Sequence, residues 1–233
     1  MVEILVSKIK IHNLDSLCYC SLFNYGKIKD YCNKFSCEFE KGKIYGVIGE
    51  FGNGGWALSY TLAGKNSDFT GTIFIDEKSV NAEVLKKVSC YVGEGVFTRS
   101  ALGFRKITVA EQINWGIKNG KCPNKSLEEV VRVFNLSPER INRKIEHVGN
   151  ERWKASIAIG YSMGKKVFCF PWLNTGEIMF LKEHIKPCID ILKENDSIVI
   201  IPTCREDSIK DITSENLYIQ GLYEKMLVDN ESI

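Results

Sequence analysis

One stretch of the chain constrains its fold more than any other. Residues 44–64 read IYGVIGEFGNGGWALSYTLAG, which is an apolar run, a segment dense in glycine and a run of small and apolar residues. The apolar run Ile44–Ile48 is typical of a buried strand, and residues 57–64 are typical of a helix. The stretch therefore predicts a strand, a glycine turn and a helix in direct succession.

The glycines of this turn match the spacing of a phosphate-binding loop. Gly49, Gly52 and Gly54 stand where the pattern G-x-x-x-x-G-K-[ST] and its G-x-x-G-x-G subtype require them. Because glycine has no side chain, backbone N–H groups can turn toward a phosphate at the start of the helix. The charged half of the pattern is absent, since Gly55 stands at the lysine position and Trp56 at the position of the Mg²⁺-binding hydroxyl. Taken alone, the stretch fits an ordinary strand-to-helix turn equally well.

Length and composition are those of an ordinary globular protein. The 233 residues, 44% of them hydrophobic and 26% charged, suffice for one α/β domain with an inserted subdomain. A net charge of +2 gives no reason to expect a nucleic-acid partner or a strong electrostatic attachment to a membrane. Nine cysteines without a C-x-x-C pair, and without a signal peptide, predict a reducing cytosol rather than a zinc or disulfide site. No apolar run is long enough to span a bilayer, so any membrane role is expected to be peripheral.

Strand and helix patterns alternate along the rest of the chain. Apolar or alternating runs predict strands at residues 3–11, 35–39, 71–76, 88–92, 166–170, 197–201 and 217–220. Helical spacing predicts a helical turn at 79–87 and helices at 109–117, 127–134, 151–161 and 175–193. Ser126 is expected to cap the helix at 127–134, and Pro187 is expected to kink the last helix. This alternation, interrupted by one helical block, predicts an α/β fold with a mainly parallel sheet and an inserted helical subdomain.

Several segments, in this order, make the chain resemble the ATP-binding subunits of ABC transporters. The segments that follow the glycine turn are GTIFID (71–76), YVGE (91–94, at the Q-loop), ITVAEQI (107–113, similar to LTVREN), HVGNER (147–152, for LSGGQR), KVFCFPWLNTG (166–176, for the Walker B segment) and IIPTCRE (200–206, at the switch). The resemblance covers nearly the whole chain. It implies a single domain, 1–233, with a P-loop NTPase-type parallel sheet, an antiparallel β portion and a helical subdomain at about residues 96–165.

These segments lack the charged residues that define the family's motifs. The Q-loop glutamine is replaced by Glu94, the Walker B aspartate and glutamate by Pro171 and Trp172, and the switch histidine by Cys204. The signature LSGG is replaced by His147, Val148, Gly149 and Asn150. Because the lost groups hold phosphate and Mg²⁺ in the family, the resemblance implies that no catalytic residue remains and that ATP with Mg²⁺ binds weakly or not at all. The bulk of Trp56 and Trp172 predicts that the two indoles fill the emptied pocket.

The resemblance also indicates which residues would contact a nucleotide. Tyr25 is expected to be the aromatic residue that stacks on adenine. The residues expected around the phosphates are Gly49, Gly52, Asn53, Gly54, Gly55, Trp56 and Ala57. Three of the replaced positions have simpler interpretations: Glu94 as a solvated loop carboxylate, His147 as a surface residue and Cys204 as a small buried thiol.

By this resemblance the chain docks on a membrane-spanning transporter subunit, pairs with a second nucleotide-binding domain and lies at the cytoplasmic face of the plasma membrane. The expected docking segment is 95–106, where Phe97 and Phe104 are apolar anchors beside Arg99 and Arg105. The same phenylalanines would pack on the chain's own core if that segment were only a surface loop. Two other functions stay open: a weakly active ATP-binding export subunit, and a binding or immunity-type protein that uses the fold without transport.

Overall fold

The computed structural model describes residues 6–22, 26–96, 107–119 and 126–221, which form two β-sheets and the helices around them. The strands are β1 (Lys8–Leu22), β2 (Gly26–Glu40), β3 (Ile44–Ile48), β4 (Phe69–Ile75), β5 (Lys78–Val80), β6 (Ser89–Tyr91), β7 (Val167–Cys169), β8 (Ile198–Thr203) and β9 (Glu215–Tyr218). The α-helices are α1 (Gly55–Leu62), α2 (Ala82–Val88), α3 (Val109–Lys118), α4 (Leu127–Val133), α5 (Arg152–Ser162), α6 (Thr175–His184), α7 (Lys186–Glu194) and α8 (Glu206–Ile209). The predicted α/β class is confirmed.

The larger sheet is parallel and is buried on both faces. Its strand order is β6-β7-β8-β3-β9, and β3, β7 and β8 are buried along their whole length. Side chains of successive residues in a strand point to opposite faces. Accordingly, Ile44 and Ile48 of β3 belong to one hydrophobic cluster, and Tyr45 and Val47 belong to the other. The apolar run that opens the glycine stretch is therefore a central strand between two layers of core.

The smaller sheet is antiparallel and has the order β2-β1-β4-β5. Strands β1 and β2 pair along their length, from Lys8 opposite Glu40 to Leu22 opposite Gly26. The strand predicted at 3–11 therefore ended too early, and the strand predicted at 35–39 began too late. The added parts of both strands have a weak strand pattern in the sequence, and pairing with each other gives their backbone groups hydrogen-bond partners.

Helices α3, α4 and α5 come between β6 and β7 in the chain and share one hydrophobic cluster, which includes Ile113, Val130 and Ile157. The predicted cap of α4 is confirmed, because the Ser126 side chain accepts a hydrogen bond from the Glu129 N–H at 3.2 Å. The three helices lie where helical spacing predicted them. The limits of a helical subdomain at about 96–165 remain a prediction.

Two predicted helical segments differ from the structure. The helix expected at 175–193 is two helices, α6 and α7, that meet at Ile185. Pro187 does not kink a helix but lies in the first turn of α7, where a missing N–H removes no hydrogen bond. The helical turn expected at 79–87 begins later, because Lys78–Val80 pairs with β4 and the Asn81 side chain caps α2 by accepting from the Val84 N–H.

The other predicted strands are present within a few residues of their expected limits, as β4, β6, β7, β8 and β9. None of the helices in the described parts of the chain is long and apolar enough to cross a membrane. The carboxyl ends of β3, β7 and β8 meet at one edge of the parallel sheet, where the Gly49 N–H donates to the Thr203 carbonyl at 2.9 Å. In open α/β sheets, ligand sites lie at this edge.

Candidate functional site

The glycine turn joins β3 to α1 at this edge of the sheet, so the predicted strand, turn and helix are confirmed. Gly54 ends the turn with a φ of 99°, in the left-handed region that favours glycine. A Cβ on Gly54 would lie 2.5 Å from the Cα of Cys32 in β2. The Tyr31 N–H also donates to the Gly52 carbonyl at 3.5 Å. Glycine at position 54 is thus required by the close approach of β2, whose backbone packs directly on the turn.

A fully buried carboxylate, Asp30 of β2, occupies the N–H groups at the start of α1. Its Oδ1 accepts from the Gly54 N–H at 3.0 Å and its Oδ2 accepts from the Ala57 N–H at 2.6 Å. Burial raises the pKa of the Asp30 carboxyl above its ordinary value, and backbone N–H donors, those of Ala57 and Gly54 foremost, oppose that rise. These are the N–H groups that the glycine pattern assigned to a phosphate.

A cluster of half-buried aromatic rings lies beside the turn; we call it the aromatic cluster, and it consists of Phe51, Trp56, Tyr60, Tyr91 and Trp172. Phe51 contacts both indoles edge to face, with ring centroids 5.7 Å from Trp56 and 5.2 Å from Trp172. The Trp172 Nε1 donates to the Gly49 carbonyl at 3.0 Å, and the Trp56 Nε1 donates to the Tyr91 hydroxyl at 2.6 Å. The two tryptophans pack beside the turn, and Phe51 contacts both. That they fill an emptied nucleotide pocket remains a prediction.

Gly55, at the lysine position, is buried at the first residue of α1. A Cβ there would lie 3.2 Å from the Cβ of Pro202 and 3.7 Å from the Cδ1 of Trp172. The first of these distances is tighter than ordinary van der Waals contact. A longer side chain at this position would therefore have to displace part of β8 or the aromatic cluster.

The structure brings Pro171, Trp172 and Cys204 to the same sheet edge as the turn, since they follow β7 and β8. Cys204 is half-buried, so the expectation of a buried thiol there is wrong: the residue comes just after β8 ends, where the chain leaves the core. Glu94 forms a surface ion pair with Lys65, whose Nζ lies 2.6 Å from its Oε2. That contact fits the predicted loop carboxylate.

Three of the four residues that replace the signature LSGG are exposed. His147, Gly149 and Asn150 are exposed, while Val148 is buried in the cluster shared by α3, α4 and α5. The Asn150 side chain accepts from the Arg140 guanidinium at 2.7 Å. The surface position predicted for His147 is confirmed.

The remaining predicted site residues lie outside the described residues. They are Tyr25, Phe97, Arg99, Phe104 and Arg105. The predicted adenine contact, and the anchors of the docking segment 95–106, are therefore predictions from the sequence alone.

Asp30 and Phe51 are the site residues that the sequence patterns did not identify. Phe51 could have been identified from the sequence, because it is a large aromatic residue inside a glycine-rich turn, and Trp56 follows that turn. Asp30 carried a weaker signal. It alternates with buried Cys32 along β2 and so occupies an inward-facing position. That alternation becomes visible only once β2 is known to extend back beyond residue 35.

Curated proteins of similar sequence carry transporter names. A provisionally named ABC transporter ATP-binding protein of Clostridium tetani is 24% identical over 190 residues, which are 81% of this chain and 43% of that protein. The energy-coupling factor transporter ATP-binding protein EcfA1 of Mesomycoplasma hyopneumoniae is 24% identical over 180 residues, which are 76% of this chain and 61% of that protein. The chain thus spans less than two thirds of the length of these relatives. No protein-family profile matches it.

Solved structures share the fold over almost the whole chain. CbiO1 of Clostridium perfringens, part of the ABC transporter complex CbiONQ, matches with a TM-score of 0.61 at 15% identity over 98% of this chain and 93% of that chain. A dimeric bacterial ABC transporter cassette matches with a TM-score of 0.62 at 16% identity over 91% of this chain and 94% of that chain. The chain has the fold of an ABC nucleotide-binding domain. In this ABC-type fold the glycine turn is the P-loop, and the assignment of Pro171 and Trp172 to the Walker B position remains a prediction.

The residues at this P-loop do not fit ATP with Mg²⁺. The N–H groups of Gly54 and Ala57 already donate to Asp30. Gly55 supplies no cation for a phosphate, and Trp56 and Trp172 supply no oxygen for a metal. In the ranges that the structure describes, no group of three or more His, Cys, Asp or Glu residues is placed to hold a metal ion. The ABC-type fold is thus present with a P-loop of different chemistry.

Proposed function

We propose that the chain is a catalytically inactive nucleotide-binding-domain subunit of an ABC transporter. In this role it docks on a membrane-spanning subunit at the cytoplasmic face of the plasma membrane and pairs with a second nucleotide-binding domain. The partner domain supplies the energy of ATP hydrolysis. The chain serves as a structural or regulatory half of the pair.

The aromatic cluster carries the inactive part of this proposal. In active members of the family a lysine contacts the β- and γ-phosphates, and a hydroxyl and an aspartate hold Mg²⁺. Here Gly55, Trp56 and Pro171 stand at those positions, and Phe51 links the two indoles beside the turn. Since a hydrogen bond to a charged group contributes about 1.5–3 kcal/mol, the missing lysine alone would weaken nucleotide binding by about one to two orders of magnitude.

The partners are proposed from the kind of protein that shares the fold. CbiO1 is described as part of a transporter complex, and the bacterial cassette is described as dimeric. The ABC-type fold of this chain suits the same two contacts. His147, Gly149 and Asn150 are exposed, and by the sequence resemblance they are the residues that we expect to face the partner domain.

We expect the purified chain to show no Mg²⁺-dependent ATP hydrolysis and to bind ATP no more tightly than about millimolar, because charged contacts to the phosphates are missing. Hydrolysis is measured by phosphate release, with an active ABC ATPase purified in the same way as the control, and binding is measured by calorimetry. Magnesium-dependent turnover above the background of a mock purification would contradict the inactive assignment. Low-micromolar ATP binding would favour the weakly active subunit instead.

The transporter role is tested by purifying the native complex and identifying every subunit by mass spectrometry. The expected partners are a membrane-spanning subunit and a second nucleotide-binding domain with an intact lysine and Walker B pair. Purification of the chain without any membrane subunit, under conditions that retain a known ABC complex, would contradict the transporter role. That result would leave a binding or immunity-type function.

A further inference from the structure

We propose that Asp30 is an internal anion that permanently occupies the phosphate-binding N–H groups of the P-loop and closes them to phosphates. We call these N–H groups, which include those of Gly54 and Ala57, the nest. A nest of this kind binds an oxyanion, and here the folded chain supplies that oxyanion from its own β2. The inference goes beyond the transporter role, because it concerns the isolated chain and would hold with any partner.

The hydrogen bonds of Asp30 match those of a bound oxyanion. Its two oxygens accept from different N–H groups, Oδ1 from Gly54 at 3.0 Å and Oδ2 from Ala57 at 2.6 Å. Gly54 is the residue that precedes α1, and it has no side chain that could cap the helix itself. Helix N-termini present unpaired N–H groups and a partial positive charge, which favour a negatively charged partner. A carboxylate from elsewhere in the chain meets that need here.

A phosphate and the Asp30 carboxylate cannot share this nest. Each N–H has one hydrogen to donate, and both donors already face carboxylate oxygens. A phosphate beside a buried carboxylate would add a like charge where little water is present to screen it. Phosphate can therefore enter only if Asp30 leaves.

The strand that carries Asp30 is held in place on both sides. In the register of the hairpin, Asp30 pairs with Cys18 and Tyr31 pairs with Leu17 on β1. Cys32, which follows Tyr31, is fully buried. Its backbone packs so closely on the turn that a Cβ on Gly54 would lie 2.5 Å from the Cys32 Cα. Withdrawal of the fully buried carboxylate would require another side-chain rotamer within this packing, or a movement of β2 away from β1 or from the turn. Occupancy is thus a property of the folded chain.

The test is chemical rescue of Asp30→Gly by sulfate, compared with wild type and with Asp30→Asn. Asp30→Gly empties the nest, so sulfate should raise its melting temperature by several degrees more than it raises that of wild type. Asp30→Asn keeps the side-chain volume in the nest and loses the charge, so it should be destabilised and gain no more from sulfate than wild type. Sodium chloride at equal ionic strength is the reference, because sulfate stabilises most proteins without binding a site.

If Asp30→Gly does not fold on its own, its refolding yield is measured with and without sulfate, and recovery only with sulfate supports the proposal. Absence of any specific rescue, or equal rescue of Asp30→Gly and Asp30→Asn, would overturn it. A second measurement needs no variant. In wild type, the amide NMR signals of Gly54 and Ala57 should not move when inorganic phosphate is added, and a saturating shift of both would also overturn the proposal.

The results of these experiments do not depend on whether the proposed transporter role is correct. Rescue of Asp30→Gly is read on the isolated chain without nucleotide or partner, so failure to find a transporter complex leaves it unaffected. Conversely, a nest that proves open to phosphate in wild type would not by itself remove the docking role.

Discussion

Asp30 and Gly55 show how two single residues change the chemistry of a P-loop. A lysine at position 55 would bring a positive charge toward a phosphate, whereas the glycine brings none. Asp30 brings a negative charge to the N–H groups of Gly54 and Ala57, where the phosphate would bring its own. The two differences act in the same direction. One removes an attraction for phosphate, and the other fills the space where phosphate would bind.

At this scale we expect Gly55→Lys to restore no ATP hydrolysis. The other charged groups are still missing, and catalytic groups of this kind act as a unit. A Cβ at position 55 also lies only 3.2 Å from Pro202, so the variant should lose about 1–3 kcal/mol of unfolding free energy through overpacking. Phosphate release and urea unfolding measure the two effects. Gly55→Ala is the control that adds the Cβ without the charge, and Mg²⁺-dependent turnover by Gly55→Lys would show that the site is more complete than its residues indicate.

At the scale of elements, the aromatic cluster joins segments that are far apart in the chain. Phe51 belongs to the turn after β3, Trp56 to the first turn of α1, and Trp172 to the segment after β7. The Trp172 indole also donates to the Gly49 carbonyl, so the cluster fixes the turn against the segment that follows β7. A metal ion could join these segments by binding ligands from each of them. Here the contacts between the packed rings join the segments.

We expect Trp172→Ala to lower the unfolding free energy by about 2–4 kcal/mol, because it removes a large ring from Phe51 and a hydrogen bond from Gly49. Trp172→Phe keeps a ring and loses the hydrogen bond, so it should cost about 1 kcal/mol. Met179→Ala is the matched control, since Met179 is 59% exposed on α6 and should change stability by less than about 0.5 kcal/mol. Urea unfolding gives all three values. If Trp172→Ala is no worse than Met179→Ala, the cluster does not hold the turn.

At the scale of the whole molecule, the antiparallel hairpin lies against the P-loop of the parallel sheet, and this contact closes the site. The hairpin supplies Asp30 and the backbone of Cys32, and the parallel sheet supplies the turn. For partners, the segment 95–106 is the candidate docking surface that the resemblance provides.

We expect the double variant Phe97→Ala with Phe104→Ala to abolish co-purification with the membrane-spanning subunit while the melting temperature of the isolated chain falls only slightly. The reason is that apolar anchors at a docking contact carry much of the binding energy. Tyr19→Ala is the control, because Tyr19 is 58% exposed on β1 and should leave co-purification intact. Unfolding of the double variant would instead place the phenylalanines in the core and the interface elsewhere.

The sequence by itself determined the strand, glycine turn and helix, the α/β class and the order of the elements, because each depends on residues that are close together in the chain. Apolar runs mark buried strands, helical spacing marks helices, and Ser126 marks the start of α4. Pro187 was expected to kink one long helix, and that prediction was wrong: the two helices meet at Ile185, and Pro187 lies in the first turn of α7.

Tertiary structure alone decided what occupies the P-loop. Asp30 is 24 residues from Gly54 in the chain, and nothing local connects the two. Their contact depends on the length of β2 and on its register with β1, since a slip of one residue would turn the Asp30 side chain to the opposite face of the sheet. Glycine spacing can therefore predict a nest of N–H groups, but only strand pairing determines which anion fills it.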